Sequence, residues 1–434
     1  DIQEVICMQT FQAVGILLIF LVSVGLMMTR KLPTILALPI MAILIAVVAG
    51  MPLLHAEKDG ATVMGTVLGD GSIRMASSIA ALFFGGWFGK VLTKVGITKT
   101  IIRKAAELAG DRPLPIALTF FAICSVIFAA SNGIGMIILV GTIVIPIMIS
   151  AGVSPLAAGT VLLLANGVGV TFSPGTLSVY IDVLGLDLAT VTSYSWLCAI
   201  PLILVGIFMI IRFTKKGGTT RRAWAMPEGQ DTAGQKNVRS IALVSPIIPV
   251  ILIFLGIPII PAIMIGIVIT LILSTPRNVI HVVSSGFVEG IQDTAGAAAL
   301  MIGIGMVLDA VTSTEVSTVL APFIHAIIPG NAVTFVLIFG LLSFLAIYRG
   351  PLNVWGLGSG VVALLASAGM NPIAAMLALR LDSNVQAVCD PTNSQNVWVA
   401  DFTKTDVNDY LKKTILPIMI STIVGLLVVS FLVF

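Results

Sequence analysis

The sequence predicts an all-α polytopic membrane protein: two inverted repeats of five spans plus a re-entrant hairpin each, with broken helices meeting at the midplane. Three observations predict it. Hydrophobic residues make up 58% of the chain, charged residues only 10%, and mean hydropathy is +1.11, whereas a soluble domain carries roughly 25% charged residues. Residues 150–178 align without a gap on residues 367–395, half the chain further on, with 10 identities in 29. Lys and Arg also sort cleanly to one side of the topology that this duplication implies.

In chain order, residues 11–28, 33–53 and 75–95 are apolar runs of the roughly 20 residues that cross a bilayer core. Residues 97–108 place Ile97, Ile101, Ala105 and Leu108 on one helical face and Lys99, Arg103 and Lys104 elsewhere, the pattern of an interfacial helix. The long apolar run 114–150 is interrupted by Ala130, Ser131, Asn132, Gly133 and is expected to double back as a hairpin. A broken span at 154–183 and a span at 193–211 complete the first repeat, 1–214. Residues 215–239 form a hydrophilic, glycine-containing linker, expected to be cytoplasmic. The second repeat, 240–434, has spans at 240–255, 258–273 and 294–311, an arm at 314–325, a hairpin at 331–368, a broken span at 371–393 and a final span at 414–434. Residues 56–71 and 401–413 are expected to be loops. Asp1 and Glu4 precede the first apolar run, so that run lacks the positive start of a signal peptide and is expected to be retained.

Five full crossings per repeat is an odd number, so the second repeat must sit inverted. With the N-terminus outside, one face collects Arg30, Lys31, Lys94, Lys99, Arg103, Lys104, Arg112, the linker's basic residues, Arg277, Lys404, Lys412 and Lys413; the other receives Lys58 and Arg74. Cytoplasmic loops carry the excess of Lys and Arg. The crowded face is therefore expected inside, and both termini outside, in a bacterial inner membrane. Cys7, Cys124, Cys198 and Cys389 share no metal-ligand or redox spacing, and no metal or cofactor is expected beyond a coupling proton or sodium.

The second broken span carries Arg380 and Asp382 into an otherwise apolar helix, 9 and 11 residues beyond Asn371, or about 14 to 17 Å deep. Intramembrane ionisable groups mark pathways and coupling sites. Backbone freed at a helix break can hold an ion, and half-helix N-termini can face an anion. The candidate ion-coupling residues are therefore Asp382, Asp390 and Arg380. The candidate substrate-binding residues lie at the hairpin turns and breaks: Ser131, Asn132, Gly133, Asn166, Thr171, Ser173, Thr176, Arg349, Gly350, Asn353, Asn384, Thr392 and Asn393. Arg349 could equally be a structural tie, Arg380 a counter-charge, and Asp390 a cap for the half-helix after it. Gly85, Gly86, Gly89, Gly303 and Gly305 suit close helix packing.

This layout resembles the ion transporter superfamily, which holds the citrate and gluconate permeases and the divalent-anion symporters. Ser131-Asn132 resembles the Ser-Asn hairpin tip with which the divalent-anion symporters grip carboxylate and sodium, and residues 171–176 (TFSPGT) resemble their unwound span. The second tip reads Tyr348-Arg349-Gly350 instead, and residues 389–398 (CDPTNSQNVW) are laid out more like a gluconate-type permease. The resemblance implies symport of a small organic anion such as a sugar acid or a di- or tricarboxylate, coupled to protons or sodium. The expected surroundings are membrane lipid and a homodimer partner, without nucleic acid. The alternative is a cation/proton antiporter, favoured by Asp382 and Asp390. An enzyme is not expected, because no nucleophile or metal constellation is present.

Overall fold

The computed structural model describes residues 2–29, 31–54, 60–110, 112–216, 238–325 and 327–434, so most of the linker and part of the 56–71 segment lie outside the described residues. The described chain is all-helical, and eight of its helices are long and apolar enough to cross a membrane. The protein is an integral membrane protein.

In the first half, α1 (Ile2–Met28) and α2 (Thr34–Val48) are followed by a π-helical turn (Val63–Asp70) and α3 (Gly71–Ile73) that lead into α4 (Ala76–Lys94). Part of the segment expected to be a loop is thus helical. Gly71 permits this, because its backbone lies directly against Met306 in the second half of the chain, where a Cβ would come within 2.7 Å. The amphipathic arm is α5 (Ile97–Ala109), the hairpin is α6 (Pro113–Ala130) and α7 (Ile134–Ser150), and the broken span is α8 (Pro155–Phe172) and α9 (Pro174–Leu184). Short α10 (Leu188–Ser193) precedes α11 (Ser195–Lys216).

The second half opens with a 3-10 segment (Ser240–Ile247) and α12 (Ile248–Phe254), then α13 (Ile259–Ser274). Next comes α14 (Val279–Thr312), whose 34 residues begin well before the expected 294. Its early polar residues are accommodated by ion pairs to α4. After α15 (Thr314–His325), the first arm of the second hairpin is uneven: α16 (Ala332–Phe335), a π segment (Val336–Gly340) and a 3-10 segment (Ser343–Arg349). The turn then leads to α17 (Gly358–Ser367), the broken span α18 (Pro372–Cys389) and α19 (Ser394–Phe402), and α20 (Val407–Val433), which begins inside the expected 401–413 loop.

The two broken spans are built alike because the same residues sit at the same offset. Each is entered through a glycine in the left-handed region, Gly152 (φ +97) and Gly369 (φ +104), where other residues are strained. Ser154 and Asn371 then cap the next helix, accepting from Ala157 N (3.3 Å) and Ile373 N (2.9 Å), with Pro155 and Pro372 at the first helical position. Each helix runs 18 residues. Each stops at Ser173 or Asp390 because the following Pro174 or Pro391 drives that residue into extended backbone. Both helices are buried almost all round, which places them in the centre of the bundle.

The first hairpin runs beside α8. Pro113 lies against Gly152, Phe128 against Gly169, and the turn meets Ser173. Both open ends therefore lie together, and the tip reaches only as deep as the break. The two broken spans cross antiparallel: Thr171 meets Arg380, Gly167 meets Val388, and Asn166 meets Gln395. Helices α4 and α14 are also antiparallel, linked in order by Arg74–Asp309, Lys90–Asp293 (2.7 Å) and Lys94–Glu289 (2.6 Å). Small residues let them approach: a Cβ on Gly290 would stand 2.5 Å from the Trp87 nitrogen.

Candidate functional site

Each hairpin tip docks on the break of its own repeat. In the first repeat, Gly133 turns the chain at φ +129, a conformation that strains a residue with a side chain. The Asn132 amide then donates to Ser173 Oγ at 2.7 Å, and Ser173 Oγ donates to Thr176 Oγ1 at 3.0 Å. Ser131 is buried, and its hydroxyl stands 2.0 Å from where a Cβ on Gly89 would be, so only glycine fits there on α4. Thr171 returns its hydroxyl to Gly167 O (3.1 Å), inside α8.

Moved on by half the chain, Ser173 becomes Asp390, and the contact is repeated with different chemistry. The fully buried Asp390 carboxylate accepts at Oδ1 from Tyr348 N (3.0 Å), Thr392 N (2.8 Å) and Thr392 Oγ1 (2.6 Å), and at Oδ2 from Asn353 Nδ2 (3.4 Å). It caps its own break and holds the second tip in place. Tyr348 and Arg349 both take positive φ (56° and 59°), which costs about 1–3 kcal/mol for each such residue. Gly350 sits against Leu345 O, where no Cβ fits. The Arg349 guanidinium donates to Trp355 O (3.4 Å), within its own turn. Asn393 occupies the N-cap position of α19 without a side-chain capping bond.

Between the breaks, Asn166 donates to Gln395 Oε1 (2.8 Å), and Tyr180 OH lies 3.5 Å from Ser383 Oγ. Each first half-span thus touches the other repeat's second half-span. Arg380 is buried; it donates to Val191 O (2.9 Å), Thr171 O (2.6 Å) and Ser195 Oγ (2.7 Å), and lies 5.3 Å from the centre of the Tyr180 ring. Its partners are backbone and hydroxyl groups of the first repeat, and Asp382 is not among them. Asn384 donates to Cys198 O at 3.5 Å.

Asp382 is fully buried, and neither carboxylate oxygen accepts a hydrogen bond from the described residues. Of eight such unpartnered buried side-chain atoms, five lie at this crossing: both Asp382 oxygens, Asn166 Oδ1, Arg380 Nε and Asn396 Oδ1. Native interiors pair more than about 90% of buried polar groups, so this concentration marks the crossing rather than the bundle at large. The N-termini of α7, α9 and α19 lie at the same tips and breaks, none with a side-chain capping bond, and such ends favour negative charge.

The predicted tip residues fall into two groups. Ser131 and Asn132 line a cavity of about 380 Å³ with Lys90, Thr93, Thr142 and Asp293. Arg349, Gly350 and Asn353 belong to the second tip and do not reach that cavity. Lys90 and Asp293 are site residues that the repeat comparison misses, because their counterparts are the apolar Val307 and Ala76. A different signal does contain them: Arg74, Lys90 and Lys94 are spaced as Asp309, Asp293 and Glu289 are in reverse, the pattern of an antiparallel charged pair.

Replacing Arg380 is expected to damage folding before function. Arg380→Ala removes the donor from two buried carbonyls and a buried hydroxyl, and such losses cost about 1–3 kcal/mol each. The expected result is a clear drop in melting temperature of the detergent-solubilised protein, only partly recovered by Arg380→Lys, which lacks the planar fork. An unchanged melting temperature in Arg380→Ala would show that the tie does not hold the crossing together.

The fold is that of a polytopic membrane bundle built on two broken spans. The profile of the GntP permease family matches residues 10–257, more than half of the chain, and the protein belongs to that family. Among solved structures, the fold is similar to that of the YdaH transporter of Alcanivorax borkumensis, described as having an unusual topology. The TM-score is 0.59 at 15% identity, over 92% of this chain and 97% of that one. No curated protein sequence matches.

Proposed function

We propose that the protein is an ion-coupled symporter of a small organic carboxylate, of the sugar-acid or di- and tricarboxylate class, working by alternating access between two inverted repeats. One observation carries the reading: three helix N-termini begin at the docked tips and breaks, and five unpartnered buried polar atoms lie on the broken spans that cross between them. Helix N-termini favour anions, and freed backbone and carboxylates at a break suit a cation or proton. The antiparallel crossing of α8 and α18 supports the inversion. Asn132, Ser173 and Thr176 from the first repeat, with Arg349 and Asn393 from the second, would contact substrate at different stages of the cycle. Asp382 is the coupling group.

Thermal-shift measurements on the purified protein with gluconate, succinate, citrate, lactate and sodium chloride test this reading. Saturating ligand at 100 Kd stabilises by about 2.7 kcal/mol, so at least one carboxylate is expected to raise the melting temperature by several degrees. Stabilisation by sodium and by none of the carboxylates would favour a cation/proton antiporter.

The orientation has its own test. The charge distribution supports an orientation with Asp401 inside and Gly330 outside. With Cys7→Ser as background, an impermeant maleimide applied to intact cells is expected to label Gly330→Cys and spare Asp401→Cys. The reverse pattern would turn the molecule over.

A further inference from the structure

We infer that the cavity at the first hairpin tip is an anion subsite in which Lys90 receives the substrate carboxylate and Asp293 is the internal carboxylate that the substrate displaces. The inference rests on the carboxylate-symporter reading and adds to it a subsite whose charged residues come from α4 and α14, outside the broken spans.

Four observations support it. Lys90 Nζ holds Asp293 Oδ2 at 2.7 Å, yet the two side chains keep 24% and 28% of their surface open, so the pair borders space rather than being sealed into packing. That space is the cavity of about 380 Å³, inside the roughly 300–1,000 Å³ range of small-ligand sites. Its polar lining is Thr93, Thr142, Ser131 and Asn132, hydroxyl and amide groups suited to the hydroxyls of a sugar acid. Finally, Asp293 lies against the first turn of α7: a Cβ on Gly135 would stand 1.8 Å from its Oδ2.

An ammonium on one side, a helix N-terminus on another and the Ser131-Asn132 turn beside them are the surroundings that a carboxylate seeks. Asp293 already occupies that place. An arriving carboxylate makes the same charge-assisted bond to Lys90 while Asp293 turns to the open side of the cavity. The neighbouring pair Lys94–Glu289 has similar geometry at 2.6 Å, but neither residue lines the cavity. It provides an internal control.

The competition predicts opposite signs for the two partners, which a purely structural ion pair would not. Gluconate binding to the purified full chain is measured by calorimetry for wild type, Lys90→Gln, Asp293→Asn and Lys94→Gln, with the ligand-free melting temperature of each as the folding check. Lys90→Gln is expected to weaken binding about tenfold or more. Asp293→Asn, which frees Lys90 from its competitor, is expected to tighten binding severalfold. Lys94→Gln is expected to bind as wild type does. Weaker binding in both Lys90→Gln and Asp293→Asn, or no change in either, overturns the subsite while leaving the carboxylate reading intact, provided wild type binds. Should Lys90→Gln fail to fold, Lys90→Arg, which keeps the charge, together with Asp293→Asn decides the question: tighter binding in Asp293→Asn supports displacement and weaker binding overturns it. Where wild type does not bind gluconate, the series is run with whichever of succinate, citrate and lactate it binds; failure of wild type to bind any of the four overturns the reading on which the subsite rests, and the subsite with it.

Discussion

Asp382→Asn is expected to abolish uphill accumulation in proteoliposomes while leaving substrate exchange in place. A bare carboxylate in a membrane interior is among the most expensive groups a protein can hold, and Asp382 is fully buried with neither oxygen accepting a hydrogen bond from the described residues. Arg380, two residues earlier, is committed to Thr171, Val191 and Ser195 and does not neutralise it. On the symport reading proposed above, Asp382 takes a proton or a cation at some stage of the cycle, and the energy of that ion's gradient enters there. Asparagine copies the neutral form, so binding and exchange survive and the link to the gradient is lost. The check is to load proteoliposomes, impose a proton or sodium gradient, and compare net accumulation with exchange of labelled substrate. Wild-type accumulation by Asp382→Asn would show that the residue is structural and that coupling resides elsewhere.

Asp390→Ala is expected to abolish both accumulation and exchange and to lower the melting temperature. Three donors lose their acceptor at once, Tyr348 N, Thr392 N and Thr392 Oγ1, and Asn353 Nδ2 is left with Ala346 O alone. A buried donor left unpaired costs about 1–3 kcal/mol; these three donors are half-buried, and together their loss is expected to exceed an ordinary single-residue effect. The strained backbone at Tyr348 and Arg349 loses the bond that holds it. Asp390→Asn keeps one acceptor oxygen and is expected to fall between wild type and alanine in melting temperature. If Asp390→Asn instead keeps the wild-type melting temperature and loses only gradient-driven accumulation, Asp390 is an ion ligand rather than the organiser of the second tip.

Much of this architecture is legible in the sequence because it is written in residues with few conformational options. Pro155 and Pro372 start helices, Pro174 and Pro391 stop them, and Gly152 and Gly369 turn the chain into each broken span; their common offset reveals the duplication directly. The early turns of α14 were less legible, since Glu289 and Asp293 read as loop residues until α4 supplies Lys94 and Lys90 as partners. The π-helical turn before α4 is hidden for a similar reason, because Gly71, which ends it, is there for close contact with α14. Within the site, the ionisable residues of α18 stand out by charge alone, but their partners do not. Nothing in the local pattern around Arg380 indicates that its guanidinium reaches back to Thr171 and Ser195, and Asp390 reads as an ion-coupling candidate or a cap until Tyr348 is seen to dock on it. The Lys90–Asp293 pair breaks the repeat symmetry, so the comparison that finds the fold passes over it.

Counterflow in proteoliposomes containing the purified protein tests the central claim most directly. Vesicles are loaded with unlabelled gluconate, succinate, citrate or lactate and diluted into a trace of the same labelled compound. Transient accumulation of label is expected for at least one of these carboxylates, driven by exchange through a single saturable site, and is expected to persist in Asp382→Asn. Absence of counterflow for all four, from protein that remains folded in the vesicles, would contradict the assignment of the tips and breaks as a carboxylate pathway.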